Sequence, residues 1–495
     1  MPTNSYDVIV LGDDFAGLVA ATLCARRGLR VLSLSQGRPM GYQLGPHRLP
    51  VEPLSLCGAG NWTIRRVFDE LNLSHILKRK LREARPGFQF VAPDLRLDVA
   101  ADEHRLAGEL TREIGEAKNR LAALMRVDEI SRRFDEVLNN QVGFPPTGFF
   151  KKREVGKTAA KIADDAHTWF DGIASDHIVT ALVGLPALLG ARVGPDTISP
   201  SACARNFHLW QTGAPRIRGD WDTLREIFAD KLDQGSGETR TGRVAELMFS
   251  WGRVNGIRLE NGEELGAGHV ISALPVASLA ALMGQKVPKR LTQCAEAIRV
   301  AGYRYTLNLV VDEAGIPEGM DSQVFLVSDL NRPPVAENGI AIAVDVPDDE
   351  ARVAVTITAV CPPPGGGEKL DDLFADFRVR LRERIELVMP FLSEHILVAH
   401  APHETAPPEG LKGELGKGFP VAPTPVWEST LDSALGVSAA PYSIGVKHLT
   451  IASDQVLPGL GIEGDFITGW CAAKLACDDL GRKRDYLKDE VISGG

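Results

Sequence analysis

The sequence contains no run of about 18 uncharged apolar residues, the minimum for a helix that crosses a membrane. Its first apolar stretch, residues 8–11, is too short for the core of a secretory signal peptide. The seven cysteines are scattered, without a CxxC pair or a cluster with histidine. These absences predict a cytoplasmic protein with buried, reduced thiols, no transmembrane segment and no metal site.

The chain also lacks an excess of basic residues. Its formal net charge is −10 and its sequence pI is about 5.7, which argues against a nucleic-acid-binding protein. With 495 residues, of which 44% are hydrophobic, the chain is long enough for two to four domains with sizeable cores.

The N-terminal stretch YDVIVLGDDFAGLVAATLCARRGLRVLSLSQG, residues 6–37, has a strand–turn–helix–strand pattern. Residues 6–11 are continuously apolar and β-branched, as in a strand covered on both faces. A turn at Gly12, a helix over residues 16–27 that ends at Gly28, and a strand over residues 29–34 follow. The pattern predicts a βαβ unit with a parallel sheet.

Further elements follow from periodicity. Helices are predicted over residues 61–73, over most of residues 102–185 with a loop at 144–157, and over residues 218–232 and 370–388. Asn-Gly pairs at residues 255–256 and 261–262 predict two hairpin turns. Three apolar β runs between residues 303 and 360 predict an antiparallel sheet in a second domain. The chain closes with a strand, a glycine-rich turn and a helix that begins near Phe466.

Three blocks of this chain resemble the FAD-dependent amine oxidase and phytoene desaturase superfamily, which has a glutathione-reductase-type FAD fold. They are the N-terminal stretch, Arg243-Val244 with VISALP at residues 270–275, and TIASD followed by LPGLGIEGDFITGWCAAKLA at the C-terminus. The resemblance implies an α/β fold class. A Rossmann-like FAD-binding domain with a parallel central sheet would be joined by a second α+β domain with an antiparallel sheet and helices.

The order of the blocks implies a discontinuous FAD-binding domain. Its three parts would be residues 1–100, 195–300 and 440–495. A helical part of the substrate domain would occupy residues 101–194, and the antiparallel part residues 301–439.

The glycine pattern departs from that family at the phosphate-binding turn. Gly12 and Gly17 match the first and third glycines of the fingerprint, but Asp14 replaces the second, and Asp13 adds another carboxylate. An ionised carboxylate about 5 Å from a phosphate costs on the order of 3 kcal/mol at an effective dielectric constant near 20. That corresponds to roughly a hundredfold in affinity.

Two hypotheses account for these acids. In the first, Asp13 and Asp14 point away from the phosphates and cap the helix by accepting N–H hydrogen bonds. In the second, they occupy the phosphate position themselves and the inherited fold no longer holds FAD. Ser35 replaces the acidic residue that the resemblance implies for binding the adenine ribose. The Gly-Gly-Arg segment expected shortly afterwards is missing, and only GRPMG, with Arg38, lies near its place.

In the C-terminal block, the resemblance places an acidic residue near the ribityl chain and a helix N-terminus at the flavin pyrimidine edge. Asp454, Gly461, Gly464 and Asp465 occupy these positions. A plain strand–turn–helix in which Asp465 only caps the helix is the alternative. The predicted cofactor-binding residues are therefore Gly12, Asp13, Asp14, Phe15, Ala16, Gly17, Ser35, Arg38, Val244, Asp454, Gly461, Gly464 and Asp465.

No catalytic residue is assigned from the sequence. His208, Trp210 and Arg216 precede the middle block, and Trp470 follows Gly469, but core or surface roles are the more common explanation for such residues.

The sequence leads to two functional hypotheses. The first is an oxidoreductase that holds FAD non-covalently and weakly. It would take hydride or electrons from a mostly apolar substrate and pass them to a quinone, oxygen or a partner redox protein. The second is a protein that has lost FAD, or binds it weakly, and acts as a subunit or scaffold of a larger complex.

Overall fold

The computed structural model describes residues 4–12, 14–82, 87–115, 117–139, 143–410 and 419–481. In these ranges the β-strands are β1 (Asn4–Leu11), β2 (Val31–Ser35), β3 (Gly41–Leu44), β4 (His47–Pro50), β5 (Phe88–Ala92), β6 (Leu95–Val99), β7 (Gly237–Thr241), β8 (Val244–Ser250), β9 (Arg253–Leu259), β10 (Glu264–Ser272), β11 (Ile298–Asp312), β12 (Gln323–Val327), β13 (Gly339–Val344), β14 (Arg352–Cys361), β15 (Ile396–His400), β16 (Thr424–Ser429) and β17 (Leu449–Ile451). The α-helices are α1 (Phe15–Arg26), α2 (Trp62–Glu70), α3 (Ser74–Lys80), α4 (Glu103–Ile114), α5 (Lys118–Asn139), α6 (Phe149–Ile173), α7 (His177–Gly190), α8 (Pro200–Thr212), α9 (Asp220–Asp233), α10 (Val276–Met283), α11 (Lys289–Ala297), α12 (Leu370–Glu386), α13 (Leu392–His395) and α14 (Gly461–Asp479).

The first sheet has the strand order β7–β2–β1–β10–β9–β8, and β17 also pairs with β10. The pairings of β1 with β2 and β10, of β7 with β2 and of β17 with β10 are parallel, whereas β8, β9 and β10 pair antiparallel. Helices α1 and α14 pack on each other beside this sheet. The strands come from three separate stretches of the chain, residues 4–35, 237–272 and 449–451.

The second sheet has the strand order β15–β11–β14–β13–β12–β5–β6, and β16 also pairs with β11. Its pairings are antiparallel, except that β12 and β5 run parallel. Helix α12 contributes Phe374, Phe377 and Leu381 to the core of this sheet. Because β5 and β6 lie in residues 88–99, the first hundred residues supply strands to both sheets. The predicted fold class is confirmed.

The helical region between β6 and β7 in the chain follows the predicted periodicity. Helices α4 to α7 occupy residues 103–190, and α5, α6 and α7 pack around α8. The predicted loop over residues 144–157 is too long, because α6 already begins at Phe149. Among the described residues no helix combines the length and the apolar character needed to cross a bilayer. All seven cysteines are buried, as predicted.

One predicted hairpin turn is wrong and the other is confirmed. Asn255 and Gly256 lie inside β9, and the chain reverses between β8 and β9 at Trp251 and Gly252. A Cβ atom on Gly256 would lie 2.3 Å from the Leu265 carbonyl oxygen, so close strand packing explains this glycine. The second Asn-Gly pair does form a turn, in which Gly262 has a φ of +86°.

Candidate functional site

The turn between β1 and α1 keeps the backbone geometry that glycine makes possible. Gly12 has a φ of +97°, and its N–H group donates to the Leu34 carbonyl oxygen at 2.9 Å. Gly17 packs α1 against the end of β10, since a Cβ atom there would lie 2.6 Å from the Ala273 Cβ atom. Ala16 is fully buried in the same helix. The turn therefore brings the helix N-terminus close to the carboxyl ends of the parallel strands, where ligands bind in such sheets.

Asp14 lies at the N-cap position of α1, but its side chain accepts no hydrogen bond from the first turn of the helix. The hypothesis that Asp14 caps the helix is therefore wrong. Its side chain instead lines a cleft that begins at the glycine turn. Asp13 lies outside the described residues, so its role stays a prediction.

This glycine-turn cleft lies between the carboxyl ends of the first sheet and strand β16. Its lining includes three acidic and three basic side chains, Asp14, Glu52, Asp454, Arg38, Arg192 and Arg225. Beyond it, an inner cavity reaches the second sheet and is lined by Trp210, Phe325, Thr356 and Leu460 among others. Both cavities are bounded by Glu52, Arg192 and Trp221, so they are neighbours across a shared wall.

Two ion pairs lie at this shared wall. Arg192 Nη1 donates to Asp465 Oδ1 at 2.7 Å, and both side chains are buried. Arg304 pairs with Glu52, whose other carboxylate oxygen accepts from the Thr424 hydroxyl at 2.7 Å. One positive charge at the cleft, that of Arg192, and one at the inner cavity, that of Arg304, are therefore already neutralised by the protein.

The acids at the cleft respond differently to their surroundings. Burial raises the pKa of Asp14 well above its usual range, and the neighbouring Asp454 raises it further, while Arg192 opposes both effects. Burial also raises the pKa values of Asp454 and Asp465 against the opposing charge of Arg192. Glu52 differs, because Arg304 and Arg192 outweigh burial and lower its pKa to about 2.

Polar side chains at and after the end of β2 form hydrogen bonds with other groups of the protein. The Ser35 hydroxyl oxygen accepts a hydrogen bond from the Gly37 N–H group at 3.0 Å. Arg38 Nη2 donates to the Ala422 carbonyl oxygen at 2.9 Å and to the Thr424 hydroxyl oxygen at 3.0 Å. Arg38 lines the cleft, which places a guanidinium group near the glycine turn.

Val244 and Phe15 have packing roles in the structure. Val244 begins β8 and is partly buried against the main core. The Phe15 ring makes edge-to-face contacts with Trp221, Phe228 and Phe466, at centroid distances of 5.4, 5.2 and 4.9 Å. Phe15 also lines the cleft, so this aromatic cluster forms part of its wall.

The C-terminal block differs from its prediction in where the helix begins. Helix α14 begins at Gly461, directly after a 3-10 turn over Pro458–Leu460, and not near Phe466. Asp465 consequently lies inside the helix, where it pairs with Arg192, and does not cap it. Asp454 remains at the cleft, and its Oδ2 atom accepts a hydrogen bond from Trp427 Nε1 at 3.0 Å.

Gly464 is explained by packing within its own segment. A Cβ atom there would lie 2.4 Å from the Leu457 carbonyl oxygen.

We expect Gly464→Ala to lower the free energy of unfolding by about 1–3 kcal/mol, because the added atom overpacks this turn. Gly172 is the control, since it is helical with nothing within 4 Å of its Cβ position. Gly172→Ala should stabilise by up to about 1 kcal/mol. Equal denaturation midpoints for both variants would contradict the packing role.

The four aromatic and basic candidates lie in structural contacts. The Nδ1 atom of His208 lies 3.3 Å from Asp128 Oδ1, and burial lowers the His208 pKa to about 4. Arg216 pairs with Asp345 at 2.7 Å. Trp470 Nε1 donates to Glu70 Oε2 at 3.1 Å. Only Trp210, of these four candidates, is among the residues that line either cavity.

Sequence reasoning missed two charged residues, Arg192 at the shared wall and Arg304 at the inner cavity. Each lies in a segment without a recognisable motif, and their partners are far away in the sequence. Among the described residues, no three His, Cys, Asp or Glu side chains are arranged to hold a metal ion.

Comparison with known proteins identifies the fold. A scan of protein-family models found no match, and a search of curated proteins found none either. Among solved structures, wild-type putrescine oxidase bound to putrescine is 15% identical, with a TM-score of 0.62, over 97% of this chain and 100% of that one. Cyclohexylamine oxidase from Brevibacterium oxydans IH-35A is 14% identical, with a TM-score of 0.59, over 96% and 99% of the two chains. An oxidoreductase from Methanosarcina mazei is 13% identical, with a TM-score of 0.61, over 94% and 98%.

These similarities extend over nearly the whole chain, and they establish that it has an amine-oxidase-like fold. The amine oxidase part of the predicted resemblance is therefore confirmed at the level of the fold.

The backbone of the cleft suits an adenine dinucleotide, and among the described residues the Asp14 side chain conflicts with it. The glycine turn, the start of α1 and the guanidinium groups of Arg38 and Arg225 suit a pyrophosphate. The carboxyl group of Asp14 conflicts with it when ionised. The residues present therefore fit FAD if Asp14 is neutral.

Proposed function

We propose that the protein is an FAD-dependent oxidoreductase that binds its cofactor non-covalently. The observation that carries this proposal is the glycine-turn cleft, which adjoins an inner cavity at the second sheet. In the proposed arrangement, Gly12, the start of α1 and Arg38 hold the dinucleotide, and the inner cavity receives the reacting parts. FAD, when bound, supplies the capacity to accept hydride or electrons.

The protein's own residues define the reaction space in this proposal. Leu209, Phe325 and Leu460 give the inner cavity apolar walls, which suits a mostly apolar substrate. The Arg304–Glu52 pair fixes charged groups beside that space without leaving a net charge. A phytoene-desaturase-like substrate, a quinone, oxygen or partner-protein acceptor, and a cytoplasmic location belong to the proposal as predictions.

A second candidate function is a flavin-free subunit or scaffold. The observation that favours it is the Asp14 carboxyl group in the cleft, together with Arg192, which is already committed to an ion pair. This candidate predicts a colourless protein that takes up no flavin.

We expect the purified full-length protein to show the visible absorption bands of oxidised flavin, or to gain them when mixed with FAD. Heating should release intact FAD, because the proposed binding is non-covalent. Asp14→Gly should raise flavin occupancy at neutral pH by removing a cost of roughly a hundredfold in affinity. The matched control is Asp102→Asn, because Asp102 caps α4 outside the cleft. Absence of FAD from the wild-type protein and both variants would contradict the proposed function and favour the scaffold.

A further inference from the structure

We propose that the glycine-turn cleft takes up a dinucleotide together with one proton, and that the Asp14 carboxyl group holds this proton. The inference rests on the proposed function, because it concerns how the same cleft accepts a pyrophosphate. The protonation state of Asp14 then decides whether an anionic ligand binds. The ionised carboxylate excludes anions, and the neutral carboxyl group admits them.

The first support is the position of the Asp14 side chain. It lies at the N-terminus of α1, where an α-helix presents N–H groups outside its own hydrogen-bond ladder and a partial positive charge. The helix makes no use of this carboxyl group as a cap, and the group lines the cleft instead. An anion that approaches the start of α1 therefore meets the Asp14 carboxyl group.

The second support is the set of charged groups near Asp14. Among the described residues, the charged groups with the largest effect on Asp14 are Asp454 after β17, Arg192 after α7, Asp465 in α14 and Arg38 after β2. The closest pairing among them, between Arg192 and Asp465 at 2.7 Å, commits one of the two cations. Asp14 is therefore an acid beside two other acids, in a place where Arg192 is already paired.

The third support is the direction in which these surroundings shift the pKa of Asp14. Burial and Asp454 raise the pKa of Asp14 before any ligand arrives. A pyrophosphate would raise that pKa further, because it adds negative charge beside the carboxyl group. Once protonated, Asp14 has an O–H group that can donate a hydrogen bond to a phosphate oxygen.

The sign of the pH dependence follows from this coupling. Above the pKa of Asp14 in the free protein, each unit of pH would weaken FAD binding by up to about tenfold, because a proton must be taken up. Below that pKa the affinity would become independent of pH. Riboflavin has no phosphate, so its binding should stay constant over the same range.

The test is a titration of the full-length protein with FAD from about pH 5.5 to about pH 8.5, followed by flavin fluorescence. We expect the wild-type dissociation constant to rise at least about tenfold over this range. Asp14→Asn, which is similar in shape and always neutral, should bind FAD with less than about threefold variation and more tightly than wild type at the highest pH. Asp102→Asn should keep the wild-type slope. Calorimetry in two buffers of different ionisation enthalpy should show uptake of about one proton by wild type and none by Asp14→Asn.

The outcomes separate this inference from the proposed function. If wild type binds FAD with the same affinity at every pH, the proton-coupled uptake is overturned while the proposed function stands. An equally steep slope in Asp14→Asn overturns the assignment to Asp14. If neither wild type nor Asp14→Asn binds FAD at any pH, although circular dichroism shows both to be folded, the proposed function falls and this inference falls with it.

Discussion

Replacing Arg205 with methionine should lower the free energy of unfolding by about 3–5 kcal/mol, the range observed when one partner of a buried ion pair is removed. Arg205 lies in α8 with 0% of its side chain exposed, and it pairs with the equally buried Glu463 of α14 at 2.6 Å. The guanidinium group also donates to the Ser131 hydroxyl at 2.8 Å and to Asp135 at 2.8 Å. Removing it would leave the Glu463 carboxylate buried without its cation.

The loss of stability caused by Arg205→Met should depend on pH. Burial alone would raise the pKa of Glu463, but Arg205 lowers it below its usual range. In wild type the Glu463 contribution is therefore present at neutral pH and is lost as the pH falls through the folded-state pKa. Without Arg205, burial would raise the pKa of Glu463. At acidic pH the Glu463 carboxylate would then be protonated, which removes the cost of an unpaired buried charge in the variant. The difference in stability between the two proteins should thus shrink toward acidic pH.

Chemical denaturation of the two proteins at neutral and acidic pH measures this effect. Arg126→Met is the matched control, because Arg126 pairs with Glu129 on the surface of α5 with about half of each side chain exposed. An exposed pair contributes at most about 1 kcal/mol, so this variant should stay close to wild type. The double variant Arg205→Met/Glu463→Leu should recover part of the loss, since it removes the unpaired charge. A deficit for Arg205→Met no larger than that for Arg126→Met would contradict the role of the buried pair.

The sequence predicted the fold where the signal is local. The strand before Gly12 and the helix after it follow from apolar periodicity and from a glycine in a turn that requires positive φ. The helices over residues 103–190 follow from the same periodicity. Local patterns failed at Gly256, where a glycine beside Asn255 resembled a turn although the contact with Leu265 of a neighbouring strand requires it.

The candidate site was less predictable, because its charges meet through the tertiary fold. Arg192 and Asp465 are 273 residues apart in the chain, and no sequence motif predicts that they pair. The replacement of the second fingerprint glycine by Asp14 was visible in the sequence, but the direction of its side chain was not. Both hypotheses for Asp14 were consistent with the residues, and only the position of the carboxyl group in the cleft separates them.

The second large effect is expected for Gly461→Ala, at the glycine-rich turn before α14. This variant should lose about 3–5 kcal/mol of the free energy of unfolding or fail to fold. Gly461 has a φ of +53° and a ψ of −128°, a conformation that residues with a Cβ atom avoid. A Cβ atom at this position would also lie 2.1 Å from the Gly190 carbonyl oxygen at the end of α7. The substitution should therefore strain the backbone and push α7 away from α14.

Gly284 separates these two causes. It has almost the same backbone conformation, with a φ of +53° and a ψ of −126°, but nothing lies within 4 Å of its Cβ position. Gly284→Ala should thus show the strain alone, about 1–3 kcal/mol, and thermal or chemical denaturation of both variants should show a clearly larger loss for Gly461→Ala. The resemblance assigned Gly461 to the cofactor, whereas its contact with α7 assigns it to packing. A Gly461→Ala protein that is as stable as Gly284→Ala but no longer binds FAD would contradict the packing role. That result would return Gly461 to the cofactor site.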